Sequence, residues 1–94
     1  MKINICGLPY EVKVVEEVEP GDSSIIGKIF TDRQLILIKK SLKEEQKAQT
    51  ILHEVIHGIL IGIGLNDFSE NENLVQGLAQ ALHQILKIDL TSFS

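Results

Sequence analysis

Residues 53 to 57 read His-Glu-Val-Ile-His. On a helix, two histidines four positions apart leave the same face about 6 Å apart along the axis, so both imidazoles can bind one metal ion. Glu54 sits about 100° round the helix from His53, which keeps its carboxylate beside that ion and off it. A carboxylate so placed can accept a proton from water, the general-base role in hydrolysis at a zinc centre. His53 and His57 are therefore candidate ligands for one Zn2+ per chain, and Glu54 is the candidate catalytic base.

A catalytic zinc site takes three protein ligands and leaves a fourth position open. The downstream ionisable candidates are Asp67, Glu70, Glu72 and His83. Glu72 is preferred, because the start of the next helix must lie a short loop away from the end of the first. It has a competing role: Ser69 followed by Glu72 is a capping-box pattern, and one carboxylate rarely serves as both cap and ligand. His83 falls about 16 Å further along the same helix, so it and Glu72 cannot share an ion, and a surface or partly packed His83 is expected.

The elements that must position these residues are legible in the flanking pattern. Ser41 and Glu44 form a capping-box pattern, and from Leu42 neither proline nor glycine interrupts the chain before Gly58, which predicts a helix from about 42 to 61. Gly62 and Gly64 supply the stop. With His53 at zero on a helical wheel, Ile51, Leu52, Val55, Ile56 and Ile59 occupy roughly 160° to 300°, a core-facing stripe that leaves the histidines on the other side. Upstream, Lys2 to Cys6 and Tyr10 to Val15 alternate across Gly7-Leu8-Pro9 and read as a hairpin. Ser24 to Phe30 and Gln34 to Lys39 read as two further strands joined near Asp32-Arg33. Downstream, a polar linker from Asn66 to Ser69 precedes an amphipathic helix from about Glu70 to Ile88. Its face of Leu74, Val75, Leu78, Ala79, Leu82, Ile85 and Leu86 is expected on the core. The expected fold is α+β, a small antiparallel sheet of three or four strands followed by two packed helices, in one domain over residues 1–94.

Composition narrows the class. The chain has 94 residues, 44% hydrophobic and 23% charged, with a net charge of −4, which suits one small globular core and argues against nucleic-acid binding. The lysines at 39, 40, 43 and 47 are interleaved with Glu44 and Glu45 and read as a solvated face. The apolar stretch from Val55 to Leu65 is about half the roughly 20 residues of a membrane span. Cys6 is the single cysteine, so no intrachain disulfide forms and thiolate-rich zinc sites are excluded. A half-buried strand position is expected for it, and a cytoplasmic location for the chain.

Several segments together resemble small phage and prophage proteins of zincin type, minimal relatives of the ImmA/IrrE-type zinc metallopeptidases. They are Ile26-Gly27-Lys28-Ile29, Gln34 to Ile38, Gln46 to His57 ending Thr-Ile-Leu-His-Glu-Val-Ile-His, and Glu72-Asn-Leu-Val-Gln-Gly-Leu-Ala. The resemblance covers most of the chain, and the helix motif is its specific part. It implies a gluzincin-like site in which His53, His57 and Glu72 hold zinc and Glu54 is the base, acting on a protein or peptide. The Gln34 to Lys39 strand, if at the sheet edge, would hold an extended peptide by strand addition. Tyr10, Arg33 and His83 are the available donors for a developing oxyanion. So small a domain builds no deep cleft alone, which makes a protein partner or oligomer completing the site an expectation. The alternative is a zincin-fold regulatory or interaction module whose metal is structural or absent.

Overall fold

The computed structural model describes residues 1–86. Lys2–Ile5 (β1) and Leu8–Val15 (β2) form the expected antiparallel hairpin, with Ile5 opposite Leu8. Its turn is Cys6-Gly7, where φ is 51° and 82°, the paired left-handed conformation that follows the twist of a tight hairpin. Cys6 is thus an exposed turn residue, not a half-buried strand residue.

Gly27–Phe30 (β3) and Leu35–Lys39 (β4) pair antiparallel. The sheet as a whole is mixed, however. Its order is β1-β2-β4-β3, and β2 runs parallel to β4 from Glu11 opposite Leu35 to Val15 opposite Lys39. The segment from Glu16 to Ile26 is too long for a hairpin and skips one strand position. This sets β3 at the outer edge and leaves the gap that β4 fills on its return. An interior place suits the apolar run Leu35 to Ile38, whose Ile36 and Ile38 are fully buried. The strand expected at the sheet edge, Gln34 to Lys39, is therefore interior, and β3 lies at the edge instead.

Ile5, Tyr10, Val12, Ile36 and Ile38 form the core on one face of the sheet, and Ile51 and Val55 of Glu44–Gly62 (α1) pack on it. A short helical turn, Asn66–Ser69 (α2), stands where a linker was expected, and Glu72–Leu86 (α3) follows. Ile56 of α1 forms a second cluster with Val75 and Ala79 of α3, flanked by Leu52 and Leu60. Helix α1 is thereby held between the sheet and α3. Ile59, expected in its core stripe, is exposed.

Both expected capping boxes are replaced. Helix α1 starts after Lys43, whose backbone N–H donates to Gln46 Oε1 at 3.4 Å. Leu42 packs against the sheet core just before it, which fixes where the chain enters the helix. Helix α3 is capped by Asn71, whose Oδ1 accepts from the Leu74 N–H at 3.1 Å. Its core face is narrower than its apolar pattern, since Val75, Ala79 and His83 are buried whereas Leu78, Leu82, Ile85 and Leu86 are exposed. Residues 87 and 88, expected to end this helix, lie outside the described residues. No helix among the described residues is long and apolar enough to cross a membrane.

Candidate metal centre

The start of α3 faces the middle of α1, so Glu72 meets the two histidines of the His-Glu-Val-Ile-His segment. Its Oε2 lies 3.0 Å from His53 Nε2 and its Oε1 lies 3.1 Å from His57 Nε2. The two Nε2 atoms are 3.2 Å apart. Asn71 takes the capping role, which leaves the Glu72 carboxylate free for this contact. Of the other candidate ligands, Asp67 and Glu70 are exposed and His83 lies elsewhere on α3; none joins the group.

The outer nitrogens of the two rings are also engaged. His53 Nδ1 is 2.8 Å from Gln76 Oε1, and His57 Nδ1 is 3.0 Å from Ser69 Oγ. A carboxamide oxygen only accepts, so His53 Nδ1 carries a proton, which leaves Nε2 as the nitrogen able to bind a metal. Ser69, buried at the end of α2, holds the His57 ring through a hydroxyl that can donate or accept. Fixing the tautomer through the outer nitrogen is how a protein orients histidine ligands. The result is two imidazole Nε2 atoms and a carboxylate brought together, an arrangement that a cation suits.

The spacing fits zinc. Ligand atoms at ~2.0–2.1 Å from a tetrahedral zinc stand ~3.3 Å apart, close to the 3.2 Å between the two imidazole nitrogens, and the Glu72 carboxylate reaches each of them with a different oxygen. Two imidazoles and one carboxylate are also a donor set that zinc accepts. His53, His57 and Glu72 are the residues that would hold the ion. No family model, curated protein or solved structure matches the chain. The geometry therefore stands on its own.

Glu54 is buried at 8% exposure, between α1 and β3. Burial pushes its carboxyl above the usual glutamate range; the electrostatic influence of His53 opposes this, the Glu72 carboxylate adds to it, and a hydrogen bond from the Ile29 backbone opposes it. The close approach of β3 to α1 depends on Gly27. A Cβ there would run into the Thr50 side chain and come within 3.5 Å of Glu54 Oε2.

The histidines are less open than a face turned from the core would make them. Their side chains are 20% and 15% exposed, because Ser69, Glu72 and Gln76 cover them. Gln76 and Ser69 went unrecognised in the sequence as positioning residues. The available signal was that Gln76 follows Glu72 by four residues and so shares its helix face. The three expected oxyanion donors do not reach the site. Tyr10 is in the sheet core, Arg33 stacks 4.1 Å over the Phe30 ring, and His83 Nδ1 lies 3.4 Å from Gln49 Nε2.

Proposed function

We propose that this chain is a zinc-dependent peptidase, a minimal relative of the ImmA/IrrE-type enzymes encoded by phage or prophage and working in the cytoplasm. The observation that carries the reading is the convergence of His53, His57 and Glu72 with both outer ring nitrogens committed elsewhere, beside a buried carboxylate that binds nothing in the group. A zinc ion held by these three residues supplies a Lewis acid that makes water more acidic and stabilises negative charge on a carbonyl oxygen. Glu54 accepts the proton of the attacking water and returns it to the leaving amine. Its burial strengthens it as a base, and the Ile29 backbone holds it in place. Strand β3, unpaired on its outer side among the described residues and adjacent to Glu54, offers the edge on which an extended peptide is laid by strand addition.

The exposed row Leu78, Leu82, Ile85 and Leu86 on α3 favours a second reading, a zincin-fold interaction module with a structural metal. One comparison separates the two. Incubated with an unfolded protein substrate, the zinc-loaded chain is expected to cut it, and Glu54→Gln is expected to lose at least ~100-fold in rate while keeping its zinc and its fold. Equal rates for the two proteins, or cleavage by neither, would reject the peptidase and leave the interaction module.

A further inference from the structure

The chain is 23% charged, yet two stretches hold no aspartate, glutamate, lysine or arginine: residues 55–66, the second half of α1 and the turn after it, and residues 73–86, all of α3 after Glu72. Packing inside the protomer does not account for this. On α3 only Val75, Ala79 and His83 are buried, whereas Leu78, Leu82, Ile85 and Leu86 are 39% to 68% exposed. With Leu78 at zero on a helical wheel, Leu82 and Ile85 fall within about 40° of it, and Val75 and Ala79 fall about 60° to 100° round. Helix α3 thus has a second apolar face beside the one that packs, where a surface helix ordinarily turns charge to water.

This second face borders a groove of about 350 Å³ between α1 and α3, walled by Ala48, Ile51 and Leu52 of α1 and by His83 and Leu86 of α3. Exposed Ile59 continues the same flank along α1. With His53 at zero, Ala48, Leu52 and Ile59 fall at roughly 220° to 260°, while His57, Thr50 and Glu54 fall at roughly 40° to 100°. The apolar flank is therefore on the far side of α1 from the candidate catalytic base. Helix α3 is ~22 Å long, and packed helices lie ~8–10 Å apart, so the flank measures on the order of 400 Å² in projection. That is the size of a functional patch on a monomer, and about half of the ~800 Å² that each partner buries in a standard interface. It suffices for a reversible contact and falls short of a permanent one.

Charge selects the occupant. At a net charge of −4, two copies repel one another in most orientations and least where neither surface is charged. An uncharged face offers nothing to steer or orient a partner of opposite sign. It meets its own copy without penalty, and a two-fold axis lets one patch supply both ridge and groove. We propose that the α1–α3 flank is a self-association surface, on which a second copy of the chain docks with the Leu78, Leu82 and Ile85 ridge of each protomer in the Ala48, Ile51 and Leu52 groove of the other. The contact lies away from Glu54, so it stands or falls independently of the peptidase reading.

The test is sedimentation velocity of the full chain, as purified, from ~1 µM to ~1 mM. The mass is expected to rise from 10.5 kDa to twice that value, with a Kd in the micromolar range. Added salt should leave the association intact, because the contact is apolar and the repulsion it overcomes is screened. Leu82→Glu on the ridge and Ala48→Glu in the groove are each expected to weaken it at least ~30-fold. Ile61→Glu changes the net charge equally, at an exposed position on the Glu54 side of α1, and should associate like wild type. Circular dichroism of the dilute samples checks that each variant keeps its helices. In the wild type, the methyl resonances of Leu82 and Ile85 should shift with concentration, a readout that needs no variant. A wild type that stays monomeric throughout, association that both variants leave intact, equal weakening by Ile61→Glu, or methyl resonances that do not move while the mass doubles would each overturn the proposal.

Discussion

Gly58, the residue after His57, is where α1 lies against Ile5 and Ile29 of the sheet, and replacing it with alanine tests how the site is held. A Cβ at this position would lie 2.8 Å from Ile29 Cδ1 and 3.2 Å from Ile5 Cδ1, against ~3.5–4.0 Å for carbon atoms in ordinary contact. Alanine inside a helix is otherwise worth ~0.8–1.0 kcal/mol over glycine. Forcing a methyl into a packed core costs ~1–3 kcal/mol. The Ile29 methyl can swing away, but Ile5, at 2% exposure, cannot, so Gly58→Ala is expected to lose a net ~1 kcal/mol. Gly77 is the matched control: it is an interior residue of α3 with nothing within 4 Å of its added Cβ, so Gly77→Ala should gain ~0.5–1 kcal/mol. In a domain of this size ~1 kcal/mol moves Tm by ~4–8 °C, which sets the two variants roughly 10 °C apart in a thermal melt followed by circular dichroism. If Gly58→Ala melts at or above Gly77→Ala, α1 does not sit on β1 and β3 as described, and the placement of Glu54 under β3 falls with it.

Two further outcomes are expected. Gln76→Leu removes the acceptor that fixes the His53 tautomer and should weaken zinc binding ~10–100-fold in competition with a chelator; an unchanged affinity would mean that this contact does not orient the ligand. In the metal-free protein, Glu54→Gln should melt higher than wild type at neutral pH. Burial raises the carboxyl's pKa in the fold, so the folded state holds this proton more tightly than the unfolded chain does. Stability is then lost as pH rises from the unfolded value of ~4.3 through the folded one, and the cost is fully present above it. The gap between variant and wild type should close below about pH 4; a gap independent of pH would point to packing and not ionisation.

The grouping of His53, His57 and Glu72 was the most legible part of the chain. His53, Glu54 and His57 announce themselves by spacing on a helix, and Glu72 by its place at the start of the next one. What obscured Glu72 was Ser69, which imitates a cap while its hydroxyl in fact serves His57; the true cap, Asn71, sits two residues later. The same kind of imitation misplaced the start of α1, where Ser41 and Glu44 match a pattern that the anchoring of Leu42 overrides. The parallel pairing of β2 with β4 was hidden because strand patterns carry no direction. The length of the segment from Glu16 to Ile26 was the available hint. On α3 the apolar pattern is the same for the residues that pack and those that do not. Val75 and Ala79 meet α1, while Leu82 and Ile85 look out, and only the position of the neighbouring helix decides which is which. Gln76 carried only its four-residue step from Glu72, since its role arises from a partner on α1.

The central claim is that His53, His57 and Glu72 hold one zinc ion, and the most direct test is the metal content of protein purified without chelator or added metal, read by elemental mass spectrometry on wild type beside Glu72→Ala. The account predicts about one zinc per chain in the wild type and much less in the variant, because the third ligand is gone while the fold remains. No zinc in the wild type, with none taken up on titration, or full occupancy in Glu72→Ala, would contradict it.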